Sequence, residues 1–299
     1  MERNTTWTID PQTFHFAACS GARLVNIVVA SQGSNPAQMS LVGNPQMITY
    51  HAGGNNCGFG DVVSSCIYQP LGKYGPEYPD PSGVCAMQLA DHNGYINNAS
   101  ERGGLYYDEL ATVVDLLKDP AVKNNKDFRL YILGYAHFFN LGANYCDDIS
   151  FGALATIPGG NAPKVSNRLR TDLNDAVERV NHILKRVAND AGDPRVKFLD
   201  ISPAFNGHRF CENNHKYIDQ WYSPDVWLWN FNTPSDDPPA DIALMSEWLD
   251  GNYLPDGTPL RNFADGTLIG AEMQGGVETE GTGGSSGPQP ELVPKALSP

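Results

Sequence analysis

Apolar residues recur every three or four positions from Leu169 to Val187 (Leu169, Leu173, Val177, Val180, Ile183, Leu184, Val187), the spacing of a helix with one buried face. Ser166 stands where an N-cap belongs, and Gly192-Asp193-Pro194 supplies a stop. A second helical spacing, "LYYDELATVVDLL" from Leu105 to Leu117, is closed by Asp119-Pro120. Two runs read as strands: "FRLYILGY", residues 128–135, nearly continuous in apolar character, and "RVKFLDIS" directly after the long helix. Nearer the N-terminus, "TFHFAACSGARLVNIVVAS" predicts a short strand from Thr13 to Ala18, a Cys-Ser-Gly turn and a helical stretch from Ala22 to about Ala30. "PQMITYHAGGNN" is a β-rich run that ends at paired glycines. Strands alternating with helices predict an α/β fold with right-handed crossovers and a parallel sheet covered on both sides.

After Cys211 the pattern loses its period. Trp221, Trp227, Trp229 and Trp248 fall among Asp, Asn and Pro, and an irregular folded segment over 213–270 is expected. From Gln274 the chain is rich in Gly, Ser and Pro with almost no apolar content, so 271–299 is expected to be a disordered tail. One domain over 1–270 accounts for the rest. No internal repeat is visible.

The chain has 299 residues, 41% hydrophobic and 18% charged, which is the composition of a globular protein with a core of ordinary size. A formal net charge of -14 repels phosphate backbones and argues against nucleic acid as a partner. No run approaches the roughly 20 apolar residues needed to span a bilayer, and "MERNTTWTIDPQ" lacks the regions of a signal peptide. The six cysteines (Cys19, Cys57, Cys66, Cys85, Cys146, Cys211) have no metal-like spacing, and disulfides are the better reading. Cys66 with Cys85 would close a proline-rich loop, and Cys146 with Cys211 would tie the loops after two core strands. Cys19 and Cys57 either pair or one of them lacks a partner. With the sequons at Asn4 and Asn98, these cysteines lead us to expect an extracellular protein.

Open α/β sheets bind ligands beyond the carboxyl ends of their strands, where both glycine turns fall: Cys19-Ser20-Gly21 and Gly53-Gly54-Asn55-Asn56. Glycine lets a backbone N–H face a ligand, and Asn adds a neutral amide donor; together they meet the needs of an oxyanion hole. The same residues also build ordinary tight turns, and local composition alone favours that simpler explanation.

The ordered pair "FHFAACSGA" and "ITYHAGGNNCGFGDVVSSCIY" resembles blocks II and III of the SGNH (GDSL-type) hydrolases, in particular the secreted esterase and lipase-like group of fungi and filamentous bacteria. "LYILGYAHFFN", followed by Cys146-Asp147-Asp148, and "VKFLDISPAFNGHRFCE" are similar to later core strands of that group, so the resemblance runs from about Thr13 to Glu212. It implies a flavodoxin-like three-layer fold and carboxylic ester hydrolysis on a small ester, lipid or acylated glycan, without metal or organic cofactor. It assigns the Gly21 backbone N–H and the Asn55 side chain as oxyanion donors. Asn56 stands where the family usually has Asp, keeping size and an acceptor oxygen but not the charge.

Two family elements have no counterpart. No Gly-Asp-Ser nucleophile motif precedes block II, and no histidine after residue 212 sits in the family's usual context; His215, the one that remains, lies in "ENNHKYID". The expectation is therefore an SGNH domain lacking its first strand and its terminal catalytic block, a monomer of weak or no activity. His208, in "GHRFC", is the candidate base, although the resemblance makes it structural. Ser20 reads as a turn residue, and His51 as a half-buried strand residue. Gly60-Asp61 is only loosely like the nucleophile motif, and residues 283–287 match G-x-S-x-G without strand or helix around them. Asp147-Asp148 and Asp236-Asp237 read as solvated loop acids rather than a glycosidase pair. The alternative to a hydrolase is a degenerate SGNH domain that binds glycan or lipid through its Trp-rich region.

Overall fold

The computed structural model describes residues 14–19, 21–29, 36–68, 76–98, 103–151, 164–216 and 219–228. Ser20, Trp229, Trp248, Asp236-Asp237 and the expected tail lie outside them. Within them the chain runs through a helical turn α1 (Val25–Val28), strand β1 (Met47–Tyr50), α2 (Phe59–Val63), α3 (Val84–Asn97), α4 (Leu105–Lys118), α5 (Pro120–Lys123), β2 (Arg129–Leu133), α6 (Asn167–Asp190), β3 (Val196–Leu199) and α7 (Asp219–Tyr222). The strands form a parallel sheet in the order β1-β2-β3, with Ile48 opposite Leu130 and Ile132 opposite Phe198. The α/β class read from the alternation is the class observed.

The long period-3.6 segment becomes α6, and Ser166 caps it by accepting from the Leu169 N–H. Asp119 caps α5 in the same way through the Ala121 N–H, with Pro120 at the first helical position. Buried side chains of α4 and α6 pack on Ile48, Tyr50, Leu130, Ile132, Val196 and Phe198, the inward positions of the three strands. Of the alternate positions, Met47, Thr49, Arg129, Lys197 and Leu199 are exposed and Tyr131 and Leu133 half-buried, and α4 and α6 pack on the opposite face.

The expected strand over Thr13 to Ala18 is not formed. Residues 14–19 pair with no strand, and Phe14 and Phe16 stand exposed with their rings 6.5 Å apart. Period-2 apolar spacing gives a segment the capacity to extend, but only a neighbouring edge makes it a strand. The helix expected over 22–30 shortens to four residues, Val25–Val28. The helix α3 carries no clean apolar stripe, since its buried residues are only Cys85, Leu89 and Ile96, and periodicity does not announce it.

A second apolar cluster lies under the ends of β2 and β3, built from Phe139, Ile149, Phe151, Leu169 and Leu173 around two disulfides. Cys66 is joined to Cys85 and Cys146 to Cys211, the two pairings expected from placement. Cys19 and Cys57 are free thiols, which resolves the open alternative for that pair.

Candidate functional site

In a parallel sheet all strands point the same way, so the segments leaving β1, β2 and β3 gather on one edge. The segment after β1 is the glycine turn. Gly53 has φ +98° and Gly58 has φ +70°, values that a Cβ opposes. Gly53 has a second reason to lack a side chain, because a Cβ there would overlap Oε1 of Glu109. The Gly53 carbonyl accepts from the Cys57 N–H at 3.0 Å and the Gly54 carbonyl from Phe59 at 3.1 Å, which rolls the turn into α2.

The other glycine turn lies against it. Gly21 has φ +71°, and the Ala22 N–H reaches back to the Cys19 carbonyl at 3.3 Å. The side-chain amide of Asn55 donates to the Ala22 carbonyl at 2.8 Å, while Oδ1 of Asn56 accepts from the Leu24 N–H at 2.9 Å. The two asparagines thus join residues far apart in the chain, and the acceptor oxygen that Asn56 retains is in use. Gly21 and Asn55 are both exposed, so the place where they approach opens to solvent.

Beneath the turn lies a buried polar group that periodicity alone could have flagged. Glu109 is four residues from both Leu105 and Val113, inside the buried stripe of α4, and has no exposed surface. Its Oε2 accepts from the Tyr50 hydroxyl at 2.6 Å, and its Oε1 has no hydrogen-bond partner. Desolvation raises its pKa to about 8, with the neighbouring Asp108 adding to the rise and the Tyr50 bond opposing it. A neutral carboxyl therefore underlies Gly53 at neutral pH. Burial also pushes the Cys57 thiol up to about 12, and Glu109 contributes in the same direction.

The segment after β2 is gripped by α6 through polar residues set in its buried stripe. Asn181 accepts from the Tyr135 N–H at 2.7 Å and donates to the Tyr135 carbonyl at 2.8 Å. Asn174 donates to the Phe139 carbonyl at 2.7 Å. Arg170, fully buried, donates to the carbonyls of Val165 and Ala143 and pairs with Asp147 at 3.0 Å. From this anchored backbone the Tyr135 ring crosses to the end of β1, where it lies 4.2 Å from the His51 ring. Asn174, Asn181, Arg170 and Tyr135 carry no motif in the sequence that marks them for this role.

His208 lies on the segment after β3. Its ring stacks on Trp227 at 3.6 Å and 9°, and its Nδ1 lies 2.9 Å from the Asp225 carbonyl. His51 is exposed and packs on Tyr135, and His215 is buried. Among the described residues, the Ser40 hydroxyl donates to the Ala37 carbonyl and that of Ser82 to Asp80, while those of Ser166 and Ser202 accept from the Leu169 and His137 N–H groups. Of the acid pairs, Asp148 meets Lys164 at 2.6 Å and Asp147 meets Arg170, so both are ion-paired, in a short 3-10 helix, Asn144–Asp148. Among the described residues no group of three or more His, Cys, Asp or Glu is placed to hold a metal ion, and no helix is long and apolar enough to cross a membrane.

No family model matches the chain. It is similar to Lipase 1 of Streptomyces coelicolor, 24% identical over 218 residues, and spans 62% of the length of that relative while 73% of its own length is matched. Among solved structures it is similar to an extracellular lipase from Streptomyces rimosus, at 21% identity and TM-score 0.45, over 69% of this chain and 66% of that one. A phospholipase A1 from Streptomyces albidoflavus NA297 gives 20% identity and TM-score 0.44, over 68% and 65%.

Proposed function

We propose that the chain carries the oxyanion site of an SGNH-type hydrolase acting on carboxylic esters, with the Gly21 backbone N–H and the Asn55 side-chain amide as donors. One observation carries this reading: the 2.8 Å bond from Asn55 to Ala22, which holds the amide beside Gly21 at the carboxyl edge of a parallel sheet. A primary amide has two N–H groups. In this reading Ala22 takes one and orients the amide plane, and the other, with Gly21, meets the ester carbonyl oxygen as it gains charge. Donors fixed in advance need no reorganisation during reaction, and losing one costs roughly 10²–10³ in rate.

In the covalent route that the resemblance implies, serine attacks the carbonyl, a histidine takes its proton and passes it to the leaving alcohol, and water releases the acyl group. The hydroxyls of Ser40, Ser82, Ser166 and Ser202 are engaged in turns, a cap and a backbone contact. In this reading the contribution assigned to the chain is carbonyl polarisation, with weak turnover. Similarity to a protein named a lipase supports an ester or lipid substrate. The two disulfides support an oxidising compartment, hence secretion. A monomeric domain over 1–270 completes the proposal.

A short-chain alkyl phosphonate, a non-covalent mimic of the tetrahedral oxyanion, tests the site. It is expected to bind the protein and not Asn55→Ala, and p-nitrophenyl butyrate turnover is expected to exceed that of the variant by a few-fold at most. Equal phosphonate binding by both proteins would sink the reading. Robust turnover blocked by a fluorophosphonate would show an attacking serine in the chain.

A second reading, a non-catalytic glycan- or lipid-binding domain, is favoured by Trp227, which is 55% exposed while its ring stacks on His208 and meets Phe205 edge-on. Glycan binding lost in Trp227→Ala and kept in Asn55→Ala would select it.

A further inference from the structure

We infer that Tyr135 is a positioning residue for the Asn55 turn, its hydroxyl acting as the fixed bridge that sets the course of the chain from Ala52 to Gly54 and so the direction of the Asn55 amide. The inference rests on the proposed role of Asn55 for its functional meaning and on geometry for its substance. The Tyr135 hydroxyl donates to the Ala52 carbonyl at 2.8 Å and accepts from the Gly54 N–H at 3.0 Å. One hydroxyl therefore satisfies two backbone groups of the turn.

The bridge can define a position because the tyrosine is itself fixed at both ends. Its backbone is held by the reciprocal pair with Asn181, and Gly134 before it is closely packed, since a Cβ would meet Asn181 Oδ1 and the Phe198 ring at 3.0 Å. Its ring is braced by His51 at 4.2 Å. From the other side Glu109 fills the space beneath Gly53, so the turn is closed in from below and tied from the β2 side. Asn55 follows Gly54 directly. Rotation of that peptide would swing the side-chain amide away from Ala22, and displacement of about 1 Å is enough to cost roughly 100-fold at a catalytic centre.

A purely structural tyrosine would predict a general loss of stability on removal; a positioning tyrosine predicts a local change at Asn55. Nuclear magnetic resonance of Tyr135→Phe, which keeps the ring and removes the hydroxyl, separates them, with Tyr106→Phe, which removes a hydroxyl bonded to Asp190 of α6, as control. The expected result is a shifted Asn55 side-chain amide signal and at least tenfold faster hydrogen exchange at Gly54, with Leu130 and Val187 unchanged and no such effect in Tyr106→Phe. An unmoved Asn55 signal, or exchange faster by the same factor at Gly54, Leu130 and Val187, would overturn the inference. Should Tyr135→Phe not fold, the unsubstituted protein decides: a slowly exchanging Tyr135 hydroxyl proton close to the Gly54 amide supports it, and a rapidly exchanging one refutes it. None of these readouts needs phosphonate binding. A protein that fails to bind phosphonate but shows the local shift would lose the oxyanion reading and keep this one.

Discussion

The side-chain amide of Asn55 donates to the carbonyl of Ala22 across 33 positions of sequence, and its neighbour Asn56 accepts from the Leu24 N–H two residues further on. Two glycine turns, each ordinary by itself, are thereby held as one unit at the edge of the sheet. The contacts have separable consequences. Leu24 is buried, so Asn56→Ala leaves its N–H without a partner at a cost of about 1–3 kcal/mol, whereas Asn56→Asp retains an acceptor and should stay within about 1 kcal/mol of the parent. Urea unfolding of the two variants distinguishes these outcomes.

Gly53 combines φ +98° with a Glu109 oxygen lying where a Cβ would go. Gly53→Ala is expected to destabilise by about 2 kcal/mol or more. Gly60, inside α2 with nothing within 4 Å of its Cβ position, is the counterpart: Gly60→Ala should be neutral or stabilising by up to about 1 kcal/mol. Thermal melts of the pair provide the check. A Gly53→Ala protein as stable as the parent would mean that the turn is not held against Glu109.

The buried Glu109 makes stability depend on pH with a definite sign. Its folded pKa of about 8 lies above the ordinary carboxyl value of 4.5, so between those pH values the folded state binds more protons than the unfolded one. Stability contributed by this group is complete at acid pH and declines as pH rises towards 8, at up to about 1.4 kcal/mol per pH unit. Glu109→Gln, a neutral amide of the same shape, should remove that decline. Denaturation midpoints collected from pH 5 to pH 9 would show a flatter curve for the variant, and parallel curves would contradict the assignment.

Cys57 is buried with a thiol pKa pushed up to about 12, so at pH 8 about one molecule in ten thousand carries the reactive thiolate. Cys19 is partly exposed. A maleimide is expected to label Cys19 in the native protein and Cys57 only after unfolding, as peptide mass spectrometry would report. Rapid native labelling of Cys57 would mean that the turn above it opens readily.

Periodicity alone located α4, β1, β2, α6 and β3, because burying one face of a helix or strand leaves its repeat in the chain, and Ser166 and Asp119-Pro120 marked boundaries through local hydrogen bonding. The same reasoning overextended the segment around Phe14 and Phe16, since pairing along a sheet edge depends on a neighbour that local sequence does not contain. The glycine turns were visible as composition, and Gly21 and Asn55 as candidates through resemblance; their approach was not. Only tertiary structure decided that Asn55 meets Ala22, that Tyr135 bridges Ala52 and Gly54, and that Glu109 lies beneath Gly53. Each of these contacts joins residues separated by more than 30 positions. Their formation depends on how β1, β2 and α4 are brought together, information held in the packing of the core and not in any one segment.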